Sequence, residues 1–232
     1  MSEIIVALDF SNEEEVIRFL KEFNQPIYTK VGMELFYAYG PKIIDTIQTM
    51  GHQIFLDLKL HDIPNTVGSA MKNLARLEVD MVNVHVAGGS RMMEAAIEGL
   101  ESGARPGLKR PLCIGVTQLT STSETMMQQE LLIPKPLNEV VLDYAKLANQ
   151  SHLDGVVCSV HEAKAIHEQC GQNFITVTPG IRLANDSVDD QVRIATPAYA
   201  KEQGSDYLVI GRSITQSQNP QATYHSIQEM LK

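Results

Sequence analysis

The chain has 232 residues, 44% of them hydrophobic and 20% charged, which is ordinary globular material and enough for one large core. Twenty-eight acidic against 19 basic residues give a net charge of −9, which speaks against nucleic acid or an anionic membrane as a partner. An anionic small ligand would have to be met by a local cluster of cations set against that field.

Short apolar runs alternate with amphipathic stretches along the whole chain. Strands are predicted at 3–8, 27–31, 53–58, 81–85, 112–117, 154–158, 174–178 and 207–210. All are short, rich in Val and Ile and nearly continuous in their apolar character, as strands buried on both faces of a parallel sheet are. A first strand that starts by Ile4 leaves no room for a signal peptide.

Helices are predicted between the strands. Ser11 to Glu14 has the pattern of a capping box and opens a helix to about Phe23. Pro41 begins another that runs to about Met50, and Asn65–Leu77 holds a third. Residues 90–101, 137–150, 160–169, 191–203 and 220–231 complete the set. Ser159 and Glu162 repeat the capping box, and Asn219 caps a helix with Pro220 in its first position. Residues 121–136 have no clear period and two prolines, and read as a long loop, either a lid or a partner surface. No linker or repeat divides the chain, and no apolar run approaches the ~18 residues of a membrane span. Cys113, Cys158 and Cys170 are odd in number and lack CxxC spacing, as expected of reduced thiols in a cytoplasmic protein. Eight β/α units at about 29 residues each make a single α/β domain over 1–232, a (β/α)8 barrel. A doubly wound open sheet is the alternative, but the first turn, Leu8-Asp9-Phe10-Ser11, has no glycine-rich fingerprint.

In such a barrel, chemistry gathers at the C-terminal ends of the strands. The third strand is the richest, ending Phe55-Leu-Asp57-Leu-Lys59-Leu-His-Asp62-Ile-Pro-Asn-Thr66. Strand alternation puts Asp57 and Lys59 on one face with Phe55, while Ile54, Leu56 and Leu58 take the other. Read as structure alone, this is an Asp57–Lys59 ion pair with Asp62 as a helix cap. Lys30 on the adjacent strand changes that reading. Lys30, Lys59, Asp57 and Asp62 can form an alternating chain of charges that keeps both lysines protonated. A charged lysine suits stabilising and protonating a carbanion, whereas imine chemistry needs a neutral one.

The seventh and eighth strands end in Pro179-Gly180-Ile181-Arg182 and Gly211-Arg212-Ser213. Loops in these positions commonly hold phosphate. Gly211 would admit a close backbone approach, Arg212 would offer a forked guanidinium, and Arg182 and Gln191 would close over the site. The alternative is a glycine turn with two solvated arginines. Asp9, at the end of the first strand, is either a ribose-hydroxyl acceptor or a turn residue. His85 reads as a hydrogen-bonded histidine at the barrel mouth, and His61 faces away from Asp57 and Lys59. No zinc-ligand spacing, GxSxG or P-loop is present.

Taken together, Ala7-Leu8-Asp9, Lys30-Val31-Gly32, the Asp57–Thr66 run, Leu119-Thr120-Ser121, Pro179–Arg182 and Gly211–Ile214 resemble the bacterial orotidine 5′-phosphate decarboxylase family over essentially the whole chain. The resemblance implies conversion of orotidine 5′-monophosphate to UMP and CO2, without a metal or organic cofactor, by a cytoplasmic homodimer. It implies that Lys59 protonates C6, that Asp57 lies beside the departing carboxylate, and that Lys30 and Asp62 complete the charged set. Asp62 and Thr66 would act across the dimer interface. Asp9 and Lys30 would bind ribose, Thr120 would lie near the base, and Arg182, Gln191, Gly211 and Arg212 would hold phosphate. Two alternatives stand beside it. One is the Mg²⁺-dependent 3-keto-gulonate-6-phosphate decarboxylases and hexulose-phosphate synthases, which share part of the motif; the other is a non-catalytic nucleotide-binding barrel.

Overall fold

Short β-branched runs separated by helices can bury both faces only if the strands lie parallel under a layer of helices. The computed structural model, which describes residues 2–183 and 194–232, has that arrangement. Eight parallel strands close in sequence order, with β8 pairing back onto β1. They are β1 (Glu3–Ala7), β2 (Tyr28–Gly32), β3 (Gln53–Leu60), β4 (Met81–His85), β5 (Leu112–Val116), β6 (Gly155–Val157), β7 (Ile175–Thr178) and β8 (Tyr207–Ile210).

The helices are α1 (Glu13–Leu20), α2 (Met33–Tyr39), α3 (Pro41–Thr49), α4 (Pro64–Ala75), α5 (Ser90–Gly103), α6 (Glu124–Gln129), α7 (Leu137–Gln150), α8 (Val160–Cys170), α9 (Pro197–Glu202), α10 (Arg212–Thr215) and α11 (Pro220–Leu231). Three of them depart from the sequence reading. Helix α2 was not expected; Gly40, at φ 59, separates it from α3. Helix α6 lies inside the stretch read as loop, started by Ser123, whose hydroxyl accepts from Met126 N–H. At α1 the cap is Asn12, accepting from Glu15 N–H at 2.9 Å, so the acceptor lies one residue beyond Ser11. The start of the helix expected at 191–203 lies outside the described residues, and α9 accounts for its end. The Ser159–Glu162 capping box and the Asn219 cap form as read.

Two apolar layers result. Ile5, Ala7, Tyr28, Phe55, Met81, Ile114, Val177 and Val209 fill the barrel. The opposite faces of the same strands, Ile54, Leu56, Leu58, Val82 and Val84 among them, pack against the helices. Helices α4 and α5 approach so closely that a Cβ on Gly99 would overlap the Gly68 carbonyl, and one on Gly103 the Lys72 carbonyl. That contact seats α4, with Asp62 just before it and Thr66 in its first turn.

The two rims differ. At the N-terminal rim, side chains just before four strands each accept a backbone N–H from, or immediately before, the preceding strand. His52 Nδ1 takes Ile27 N–H at 3.2 Å, Asp80 takes Ile54 N–H at 2.7 Å, Asp154 takes Cys113 N–H at 2.7 Å and Asp206 takes Thr176 N–H at 2.8 Å. Asp154 also receives the Arg110 guanidinium at 2.6 and 3.1 Å. These groups are consumed by the scaffold. The C-terminal rim is built otherwise.

Candidate active site

At the C-terminal rim a cavity of about 290 Å³ opens over the barrel, the scale of a small-molecule site. Its floor is apolar: Ala7, Phe55, Val116, Val157, Val177 and Val209. One wall carries four charges: Asp9 just after β1, Lys30 on β2, and Asp57 and Lys59 on β3. Lys30 Nζ lies 3.3 Å from Asp9 Oδ1 and 3.4 Å from Asp57 Oδ2. Lys59 Nζ lies 2.7 Å from Asp57 Oδ1. The expected alternation of charge is therefore present within one chain, but its fourth member there is Asp9.

Asp62 is placed differently. It is exposed, and its carboxylate accepts only the neighbouring Ile63 N–H, at 2.6 Å, among the described residues. Nor is it the helix cap of the structural alternative, because Ile63 occupies that position and makes no side-chain cap. Thr66 is exposed too, on the first turn of α4 outside the cavity.

Burial by itself would neutralise these groups; their mutual contacts reverse the effect. Burial of Lys30 favours the amine, but the Asp57 and Asp9 carboxylates outweigh it and hold the ammonium above its usual range. Burial of Asp57 favours the acid, yet Lys30, Lys59 and the hydrogen bonds from Lys59 and Asn83 hold it below the usual carboxylate range. Asp57 is thus an anion at 8% exposure.

The third strand also departs from simple alternation. Pairing with β4 runs Phe55↔Met81 and Leu56↔Val82, then jumps to Leu60↔Val84. Lys59 sits at φ 51. Its backbone N–H donates to Asn83 Oδ1 at 2.7 Å, and Asn83 Nδ2 donates to Asp57 Oδ1 at 2.7 Å. Asn83 was missed in the sequence reading. The available signal was an amide in the middle of an otherwise apolar strand, Met81-Val-Asn-Val84.

The opposite wall holds Pro179, Gly180, Arg182, Gly211 and Arg212, with Thr120 and Ser121 beside Gln118 and Leu119 at the mouth. After β7, Ile181 and Ala195 form a bridge, with Arg182 N–H on Ala195 O and Ala195 N–H on Gly180 O. A Cβ on Gly211 would make only ordinary contacts with Ala7 and Asp9, so protein packing does not demand the glycine; the space it leaves belongs to the cavity. Gln191 lies outside the described residues. His61 stacks with His85 at 5.6 Å between ring centroids, and burial, His61 and Lys59 hold His85 below the usual imidazole range. Among the described residues, no three His, Cys, Asp or Glu side chains are grouped to hold a metal ion.

The chain is 61% identical over 227 residues to an orotidine 5′-phosphate decarboxylase of Bacillus mycoides (strain KBAB4), an alignment covering 97% of this chain and 95% of that protein. Among solved structures, orotidine 5′-phosphate decarboxylase from Lactobacillus acidophilus superposes with a TM-score of 0.91 at 42% identity, covering all of both chains. An uncharacterised conserved protein from Geobacillus kaustophilus superposes with a TM-score of 0.90 at 53% identity, covering 99% of this chain and 100% of that one. The family model for orotidine 5′-phosphate decarboxylase / HUMPS matches residues 2–227, and the chain belongs to that family.

Proposed function

We propose that the chain decarboxylates orotidine 5′-monophosphate to UMP and CO2, with Lys59 as the proton donor. The observation that carries this reading is the Asp9–Lys30–Asp57–Lys59 chain of ion pairs lining one wall of the cavity, with Arg182 and Arg212 on the other. A nucleotide lying across the cavity presents its base to the first wall and its phosphate to the second. Asp9 and Lys30 take ribose hydroxyls, Thr120 lies against the base, and Arg182, Gln191, Gly211 and Arg212 take the phosphate.

The chemistry follows from charge. When the C6–carboxylate bond breaks, the electron pair stays in the ring plane at C6, where no carbonyl can delocalise it well. A fixed ammonium beside C6 stabilises that pair electrostatically and then supplies the proton that forms the C6–H bond. Lys59 supplies this proton from its ammonium, and the resulting amine regains one from water. Asp57, held as an anion against the leaving carboxylate, orients the Lys59 ammonium through their 2.7 Å contact. Phosphate binding far from C6 supplies interaction energy for organising the site.

The active species in this reading is a homodimer in the cytoplasm. Residues 61–66 are six successive exposed positions, with Ile63 at 66% exposure. An apolar side chain displayed beside a carboxylate that has no ion partner among the described residues suits a surface that a second copy covers. Asp62 and Thr66 of one protomer then complete its partner's site. Cys113, Cys158 and Cys170 form no disulfide, which suits a reducing compartment.

The test is turnover of orotidine 5′-monophosphate, followed by ultraviolet absorbance with EDTA present. Rapid conversion to UMP is expected. Conversion of 3-keto-gulonate 6-phosphate that depends on Mg²⁺, with no conversion of the nucleotide, would assign the chain to the other activity. Nucleotide binding without turnover would leave a non-catalytic barrel.

A further inference from the structure

We infer that Asn83 is a positioning residue for this reaction: its amide braces the Lys59 backbone and the Asp57 carboxylate together, and so fixes where the Lys59 ammonium stands. The inference rests on the reading of Lys59 as proton donor.

A buried amide is costly unless both of its ends are bonded, and Asn83 is 1% exposed. Both ends are used. Oδ1 accepts from Lys59 N–H and Nδ2 donates to Asp57 Oδ1, each at 2.7 Å. The partners fix which end is which, since a backbone N–H can only donate and an ionised carboxylate can only accept.

The brace sits where the strand is irregular. Four steps along β3, from Leu56 to Leu60, match two along β4, from Val82 to Val84. The extra residues bulge, and a bulge re-aims side chains. Lys59 takes φ 51 there, a left-handed conformation that is unfavourable for a non-glycine residue and persists only where the surroundings hold it. The Asn83 carbonyl takes the Lys59 N–H that the ladder no longer pairs. The same Asp57 oxygen that receives Asn83 Nδ2 also receives Lys59 Nζ at 2.7 Å. The loop from Lys59 backbone to Asn83 to Asp57 to Lys59 ammonium is closed. Removing Asn83 frees the Lys59 torsion and strips one donor from Asp57, while the wall carrying Arg182 and Arg212 is untouched. The loss therefore falls on kcat and spares nucleotide binding.

Asn83→Asp tests this without a change of size. The introduced carboxyl can still accept from Lys59 N–H. Ionised, it cannot donate to Asp57 and repels it; protonated, its O–H can donate as the amide did. The groups facing this point are Asp57 and Lys59 on β3, Lys30 on β2, Asp9 after β1, His61 after β3 and His85 at the end of β4. Their own titrations are removed by expressing each rate as a ratio to wild type at the same pH. At about pH 8, kcat should fall about 10- to 100-fold, the worth of one hydrogen bond to a charged group, with UMP affinity within about threefold of wild type. The ratio should rise as pH falls toward about 5, where the introduced carboxyl takes a proton. A pH-independent ratio, an unchanged kcat, or equal losses in kcat and UMP affinity would overturn the inference. If Asn83→Asp does not fold, Asn83→Ser is read instead. It should show the same loss in kcat with UMP binding retained and a ratio flat with pH, and an unimpaired kcat overturns the inference. An inactive wild type would overturn the decarboxylase reading itself, whereas an active wild type beside an unimpaired variant overturns only the role of Asn83.

Discussion

The two rims of the barrel use the same side-chain chemistry to opposite ends. At the N-terminal rim Asp154 meets a guanidinium and a backbone N–H, and its bonds all run to the scaffold. At the C-terminal rim Asp57 meets two ammonium groups and an amide, and all of these but Asn83 line an open cavity. A carboxylate closed off by its partners stabilises the fold; one that holds partners toward a cavity organises chemistry. Substitutions at the two rims should therefore separate activity from stability.

The largest effect is expected at Lys59. On the proposed role, Lys59→Ala would remove the charge beside C6 and the proton that completes the reaction; it leaves Asp57 with one ammonium. Turnover of orotidine 5′-monophosphate should fall by at least about 10³-fold, with UMP binding largely retained. Substantial residual turnover in single-turnover assays would take Lys59 out of the proton-donor role. Next comes the opposite wall. Arg212→Ala should lower kcat/KM about 100-fold although Arg212 touches no reacting atom, because remote binding energy organises the site. An unchanged kcat/KM would remove Arg212 from the phosphate site.

Breaking the N-terminal rim should do the reverse. Asp154→Ala leaves Arg110 and the Cys113 N–H without their partner, a cost of about 2–4 kcal/mol. Burial of Arg110 disfavours its charge, and Asp154 outweighs this to hold it above its usual range. The urea midpoint should fall while kcat per folded molecule stays unchanged. A kcat lowered in step with stability would mean that the two rims are coupled.

The C-terminal side of this contrast was legible in the sequence, for local reasons. Strand periodicity placed Asp9, Lys30, Asp57, Lys59, Arg182 and Arg212 at strand ends, and the barrel brought those ends together. What was not legible depends on pairing between strands. Asn83 becomes informative only once β4 lies against a bulged β3, and nothing in the run Gln53–Leu60 announces that Lys59 will take a positive φ. The carboxylates of the N-terminal rim hid for the same reason, because a lone Asp before a strand reads as an ordinary turn residue until its acceptor role across the ladder is seen. Asp62 and Thr66 illustrate a different limit. Spacing put Asp62 in the charged chain, and within one chain it stands outside.

The smallest effect is expected at His52, which does at β3 what the three aspartates do at β4, β6 and β8, but as a neutral acceptor. At 6% exposure its Nδ1 takes the Ile27 N–H, and burial holds the imidazole below its usual value of 6.5. In the unfolded chain the ring takes up a proton at its ordinary pKa; in the folded chain it resists until lower pH. Between those two values the unfolded state binds more protons, so stability rises with pH, is fully present above about 6.5 and is lost as pH falls through the folded value. Protonation at Nδ1 would also turn the acceptor into a donor facing another donor. His52→Asn keeps an acceptor near the Nδ1 position and cannot titrate. Thermal melts of this variant should lose less Tm than wild type between about pH 7 and about pH 5, by a margin smaller than the effect of Asp154→Ala. Parallel melting curves over that range would show that the acid sensitivity of the fold lies elsewhere.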